Sequence, residues 1–195
     1  MNRLEEQLHS AGLQVVDHCE RLATYSPDLL EHSPLLEDFT AAEADVLAAS
    51  MLLVRAAPGQ VLIREGDAGD WMMLILKGTV DVTKRIELRA ADADAPLAAG
   101  NHAEYEALEF TQSRVAVLQR GAAIGEMSML DSGLRYTTCT AIEPVEAGVL
   151  GSHAIGLLIR DHPAVGAKLL VKITQLMAQR LRNISNQLVK SLQKQ

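Results

Sequence analysis

The spacing of apolar residues changes twice along this chain. From Leu4 to about Leu30 they recur every three or four positions (Leu4, Leu8, Val15, Cys19, Leu22), which predicts helix with Gly12 as an interruption. Two Ser-Pro pairs in SPDLLEHSPLLEDF predict breaks between short helical turns. TAAEADVLAA then predicts a helix start, with Thr40 as N-cap and Glu43 closing a capping box. At Ser50 the period drops to two. Short apolar runs follow, cut by Pro58-Gly59, by Gly66 to Asp70 and by Gly78, and they resume in SRVAVLQRG, RYTTCTAI and VEAGVLG. Regular short strands with Gly-rich turns predict an antiparallel barrel or roll. The Ala/Asp-rich stretch 90–106 breaks the rhythm and reads as an exposed insertion. After it and the later strands, HAIGLLIR predicts a short helix. A long helix follows, with Leu170, Ile173, Met177, Leu181, Ile184 and Leu188 in alternating steps of three and four. That seam fits packing on the chain's own roll or on a twin helix, and its polar flanks favour the homodimer.

The fold class expected is therefore α+β: an antiparallel, jelly-roll-like β-roll of about eight strands, flanked by N-terminal helices and a long C-terminal helix. Residues 1–30 are assigned to an N-terminal helical segment, 31–160 to the roll with its short helices and insertion, and 161–195 to the long helix.

Composition narrows the function. Aromatics are 3% of the chain, so the core must be aliphatic, and a net charge of -7 argues against a protein built mainly for nucleic acid. No acid follows Asp161, whereas Lys168, Lys172, Arg180, Arg182, Lys190 and Lys194 do. These bases read as a solvated helix face, or else as a surface for an acidic partner. Cys19 and Cys139 lack metal spacing and fit structural thiols. The six histidines are scattered, without metal-ligand spacing or a triad partner, so neither an enzyme, a metal nor a cofactor is expected. The first residues lack a secretory pattern and no apolar run is long enough to span a bilayer, which together lead us to expect a cytoplasmic protein.

The candidate chemistry lies in GEMSMLDSGLRYTTC, where Glu126 and Arg135 stand alone among small and apolar residues. A phosphate is well held by first-turn amides with a guanidinium opposite, and Gly125 permits close backbone approach. Glu126 is then free to accept from sugar hydroxyls. A salt bridge between Glu126 and Arg135 across the turn is the competing reading.

Glycine, acid, apolar residues, a turn, arginine and small hydroxyl residues resemble the phosphate-binding cassette of the cyclic-nucleotide-binding domain family. The EGDAGD turn and the KGTVDV strand add to the resemblance, which covers about Leu30 to Leu188. The resemblance implies that Glu126 binds the ribose 2′-hydroxyl and Arg135 the cyclic phosphate. It also implies that the amides around Met127 and Ser128 cradle phosphate oxygens, with Gly125, Tyr136 and Thr137 completing the site. It further implies a C-terminal helix over the base, with Ile184, Ser185 and Leu188 as base-contact candidates. Leu134 departs from a frequent proline, which suggests a mobile loop. Tyr136 replaces a small residue, leaving its ring to stack on the base, to occlude the pocket or to face solvent. Ile124 replaces a common phenylalanine. The family's DNA-binding members continue past the long helix into a recognition helix; here the sequence ends at Gln195, so no direct DNA binding is expected. The function implied is a receptor for cAMP, or alternatively cGMP or cyclic di-GMP, that acts on an unidentified effector protein. A ligand-free dimerisation scaffold with a degenerate pocket is the rival.

Overall fold

The computed structural model describes residues 3–19, 21–22, 28–87 and 110–193, apart from a few side chains. Among them nine strands form two antiparallel sheets. The first sheet runs β1 (Gln14–His18), β2 (Leu52–Ala56), β9 (Val145–Gly151), β4 (Trp71–Lys77), β7 (Ala123–Ile124). The second runs β3 (Val61–Ile63), β8 (Thr138–Ala141), β5 (Thr79–Glu87), β6 (Phe110–Gln119). The expected antiparallel roll with flanking helices is thus present.

Strand β4 explains why the roll needs helices. Its sequence WMMLILK is apolar at successive positions, so both of its faces must be covered. Trp71, Met73 and Ile75 face the interior between the sheets, with Val80, Ile124, Cys139, Ala141 and Val149. Met72, Leu74 and Leu76 face outward onto a second cluster built from helices. Helices α1 (Arg3–Ser10), α2 (Leu29–His32), α3 (Ala41–Ala49), α4 (Glu126–Asp131), α5 (Ser152–Asp161) and α6 (Pro163–Leu192) complete the described elements. Helix α3 begins with the expected capping box: Thr40 accepts from the Glu43 amide, and Glu43 accepts from the Thr40 amide at 2.8 Å. Burial pushes the Cys139 thiol up to about 11, so it stays a thiol at neutral pH.

The amino-terminal expectation needs correcting. Helix α1 ends at Ser10, Gly12 turns the chain at φ 76°, and residues 14–18 pair with β2 instead of continuing the helix. The competing force is the open edge of β2, which the β-branched Val15 and Val16 suit better than a helix does. Leu8 and Leu13, either side of the turn, are both buried. The insertion assigned to residues 90–106 lies outside the described residues. Its flanks are paired, since Glu87 faces Phe110 across β5 and β6.

Helix α6 divides into two halves. Val165, Leu169 and Ile173 are buried in the helix-covered cluster, with Leu170, Leu176 and Met177 packed against it. Past Arg180 the same seam runs on beyond the roll: Leu181 is 66% exposed, Ile184 57% and Leu188 59%. For the seam, packing on the chain's own roll holds in part. Its first half docks on the chain's own roll and its second half is uncovered. Two of the bases are accounted for differently from either expectation, while Arg182 and Lys190 lie exposed on the helix as a solvated face requires. Lys168 pairs with Glu43 at 2.6 Å. Lys172, almost wholly buried, sits between Glu37 at 2.8 Å and Asp38. The acidic partner of these two bases is the chain's own segment 37–43.

Candidate functional site

Helix α4 is a single short helix entered through Gly125, whose φ of 78° lies in the left-handed region. A side chain there would be strained, and its Cβ would meet Arg135 at 2.7 Å. The helix leaves through Ser132, also left-handed at φ 58°. First-turn amides of such a helix have no partner within it. The chain then returns as a strand-like bridge. Gly66 donates to the Arg135 carbonyl at 2.9 Å and Arg135 donates to the Asp67 carbonyl at 2.8 Å. Leu134 bridges to Ala68, so the loop expected to be mobile is pinned to the EGD turn.

This return places Arg135 inside the protein, 4% exposed. Its Nη1 donates to the Gly125 carbonyl at 2.7 Å and to Ser128 Oγ at 2.6 Å. The guanidinium carbon lies 4.1 Å from the centre of the Trp71 ring. Gly69 closes the other side: a Cβ on it would come within 2.5–2.8 Å of three guanidinium atoms. The other terminal nitrogen, Nη2, is buried and makes no hydrogen bond. Burial pushes the group down to about 10, against the pull of Asp70, Glu126 and Asp67, and it remains a cation at neutral pH. A buried charged donor without an acceptor costs at least 1–3 kcal/mol or so. An anion against Nη2 removes that cost.

Glu126, 1% exposed, does not form the expected alternative bridge to Arg135. Its carboxylate accepts from Nη1 of Arg180 on α6, and Arg180 Nη2 donates to the Ala123 carbonyl at 2.5 Å. A carboxylate has room for about four hydrogen bonds, so acceptor capacity remains beside the Arg180 contact.

Of the residues proposed from sequence, Gly125, Glu126, Ser128 and Arg135 come together. Met127 lies on the outer face of α4, 41% exposed, and Thr137 is half-buried at the loop's exit. Tyr136 takes the solvent option. Its side chain is 57% exposed, the Lys84 ammonium lies 3.9 Å from its ring centre, and its carbonyl accepts from the same ammonium. Ile184, Ser185 and Leu188 are not brought to the site. They are exposed on the uncovered half of α6, because the helix leaves the roll at Arg180. Three residues of the site were missed: Gly69, Trp71 and Arg180. The signal for Arg180 was its place on the roll-facing stripe with Leu169, Ile173 and Leu176, where a charge requires a partner. Among the described residues no cluster of His, Cys, Asp and Glu could hold a metal, and no helix is long and apolar enough to cross a membrane.

This architecture recurs in solved structures. A cyclic nucleotide-binding domain from Methylobacillus flagellatus KT is 27% identical, with a TM-score of 0.69 over 91% of this chain and 89% of that one. The catabolite activator protein of Thermus thermophilus is 24% identical, with a TM-score of 0.61 over 80% of this chain and 62% of that one. In sequence, the chain is 27% identical over 130 residues to a cAMP-dependent protein kinase regulatory subunit of Yarrowia lipolytica. That match takes in 67% of this chain and only 28% of the Yarrowia protein. No protein-family model matches the chain. The fold is that of the cyclic nucleotide-binding domains, which bears out the resemblance drawn from the cassette.

Proposed function

We propose that this chain is a cyclic-nucleotide receptor with cAMP as its first ligand. The observation that carries the reading is the buried Arg135 Nη2 without an acceptor, at the end of a loop that resembles a phosphate-binding cassette. The cyclic phosphate supplies that acceptor, and Glu126 takes a ribose hydroxyl. Charge supports a monoanion. Arg180 already neutralises Glu126, which leaves the one cation of Arg135, so a dianionic phosphomonoester such as 5′-AMP binds less well than the cyclic diester.

The signal passes through Glu126, which touches ligand on one side and α6 on the other. Ligand binding changes what the carboxylate offers Arg180 and so biases where the second half of α6 lies. Such a bias is limited by the ligand's differential affinity for the two helix positions, with about 1.4 kcal/mol giving a tenfold population change. The uncovered stripe Leu181, Ile184 and Leu188 is the output surface, through a homodimer or through an effector protein. Repositioning of that stripe is also the route by which Ile184, Ser185 or Leu188 reaches the base. The same stripe supports the rival reading, a dimerisation scaffold that needs no ligand.

Calorimetric titration with cAMP, cGMP, cyclic di-GMP and 5′-AMP tests the proposal. A dissociation constant above about 100 μM for every cyclic nucleotide, worth only ~5.5 kcal/mol, rejects it. Arg135→Ala is expected to cost ~1.5–3 kcal/mol of binding. Light scattering at micromolar concentration tests the homodimer, and a wild-type monomer rejects it.

A further inference from the structure

We infer that Trp71 is the positioning residue for the ligand-binding arginine, a stacking platform that fixes the plane of the Arg135 guanidinium. The ligand half of this inference rests on the receptor reading above. Trp71 is the only tryptophan in the chain. It opens β4, whose next five residues are Met and aliphatic residues, so bulk alone does not require an aromatic ring there. Its ring centre lies 4.1 Å from the guanidinium carbon, in a pocket where both groups are 4% exposed. The contacts divide the guanidinium between them. Gly125 and Ser128 fix Nη1, the guanidinium carbon sits over the indole ring, and Gly69 stands where any side chain would collide with Nε and Nη2. The two hydrogen bonds at Nη1 set the plane along one edge, and the ring packed under the guanidinium carbon resists tilting of the far edge, where Nη2 lies. Nη2 is thereby held in one direction before any anion arrives, which lowers the ordering cost of binding.

The stack is present before and after binding, so its effect on affinity is the ordering cost it spares, up to about tenfold. Trp71→Leu is therefore expected to bind cAMP about tenfold more weakly than wild type, with Trp71→Phe restoring binding to within about threefold. Equal affinities for all three proteins overturn the inference. A ligand-free readout runs beside it. The Arg135 Nε–H proton should show a ring-current shift in the wild-type NMR spectrum that Trp71→Leu abolishes and Trp71→Phe partly keeps; a resonance that none of the variants moves also overturns it. If Trp71→Leu does not fold, Arg135→Met, which keeps the bulk and removes the cation, is compared with wild type by emission of the single tryptophan. A change is expected, and identical spectra overturn the inference. Wild type that binds no cyclic nucleotide rejects the receptor reading alone, while the ligand-free measurements decide the stacking.

Discussion

Replacing Arg180 by alanine isolates the link between the site and the C-terminal helix. The substitution removes two contacts, to Glu126 and to the Ala123 carbonyl. It leaves a carboxylate whose side chain is 2% exposed, whereas the Arg180 side chain is 39% exposed. Breaking a fully buried pair costs about 3–5 kcal/mol; with one partner partly in water, about 2–3 kcal/mol is expected. In a domain of this size that is a fall of about 5–10 °C in thermal midpoint, read by circular dichroism. The same substitution in a Glu126→Gln background should cost less than about 1 kcal/mol, because the stranded charge is gone. Amide exchange in residues 181–192 should accelerate in Arg180→Ala, since the helix loses its last anchor on the roll. A loss below about 0.5 kcal/mol with no coupling to Glu126→Gln would refute the link, and with it the proposed route of the signal.

Gly69→Ala should push a methyl group into the guanidinium of Arg135, cost about 1–3 kcal/mol and weaken cAMP binding at least tenfold. Gly156→Ala on α5, which meets nothing within 4 Å, is the control and should be neutral or slightly stabilising in the same urea titration. The clasp of Lys168 on Glu43 carries a pH signature. The hydrogen bond from Lys168, with that from the Thr40 amide, lowers the Glu43 carboxyl to about 2 from an ordinary 4.5. Its contribution is therefore complete above about pH 4.5 and is lost as pH falls toward 2. The gap in urea midpoint between wild type and Glu43→Gln should narrow over that window, and a constant gap would contradict the assignment.

Much of the roll was legible because it is written in local chemistry. Gly-rich turns separate short strands, Thr40 and Glu43 announce a cap, and Gly125 opens the short helix in GEMSMLDSGLRYTTC that leads through a loop to a strand. What was not legible depends on partners distant in sequence. Residues 14–18 carry a helix-compatible spacing, and the open edge of β2, supplied almost 40 residues later, overrides it. Arg180 is one of six bases in an acid-free tail, and only its place on the stripe with Leu169, Ile173 and Leu176 sets it apart from Arg182, which donates to Gln179. Tyr136 faces solvent because Lys84, from another strand, holds both its ring and its carbonyl. The seam of α6 was correctly periodic, yet periodicity does not state where the roll ends beneath it.

The measurement that bears most directly on the central claim is a crystal structure of the full chain with cAMP bound. A phosphate oxygen is predicted within hydrogen-bonding distance of Arg135 Nη2, with a ribose hydroxyl on Glu126 and the guanidinium still stacked on Trp71. A nucleotide bound elsewhere on the roll, with Arg135 Nη2 still buried and without an acceptor, would contradict it.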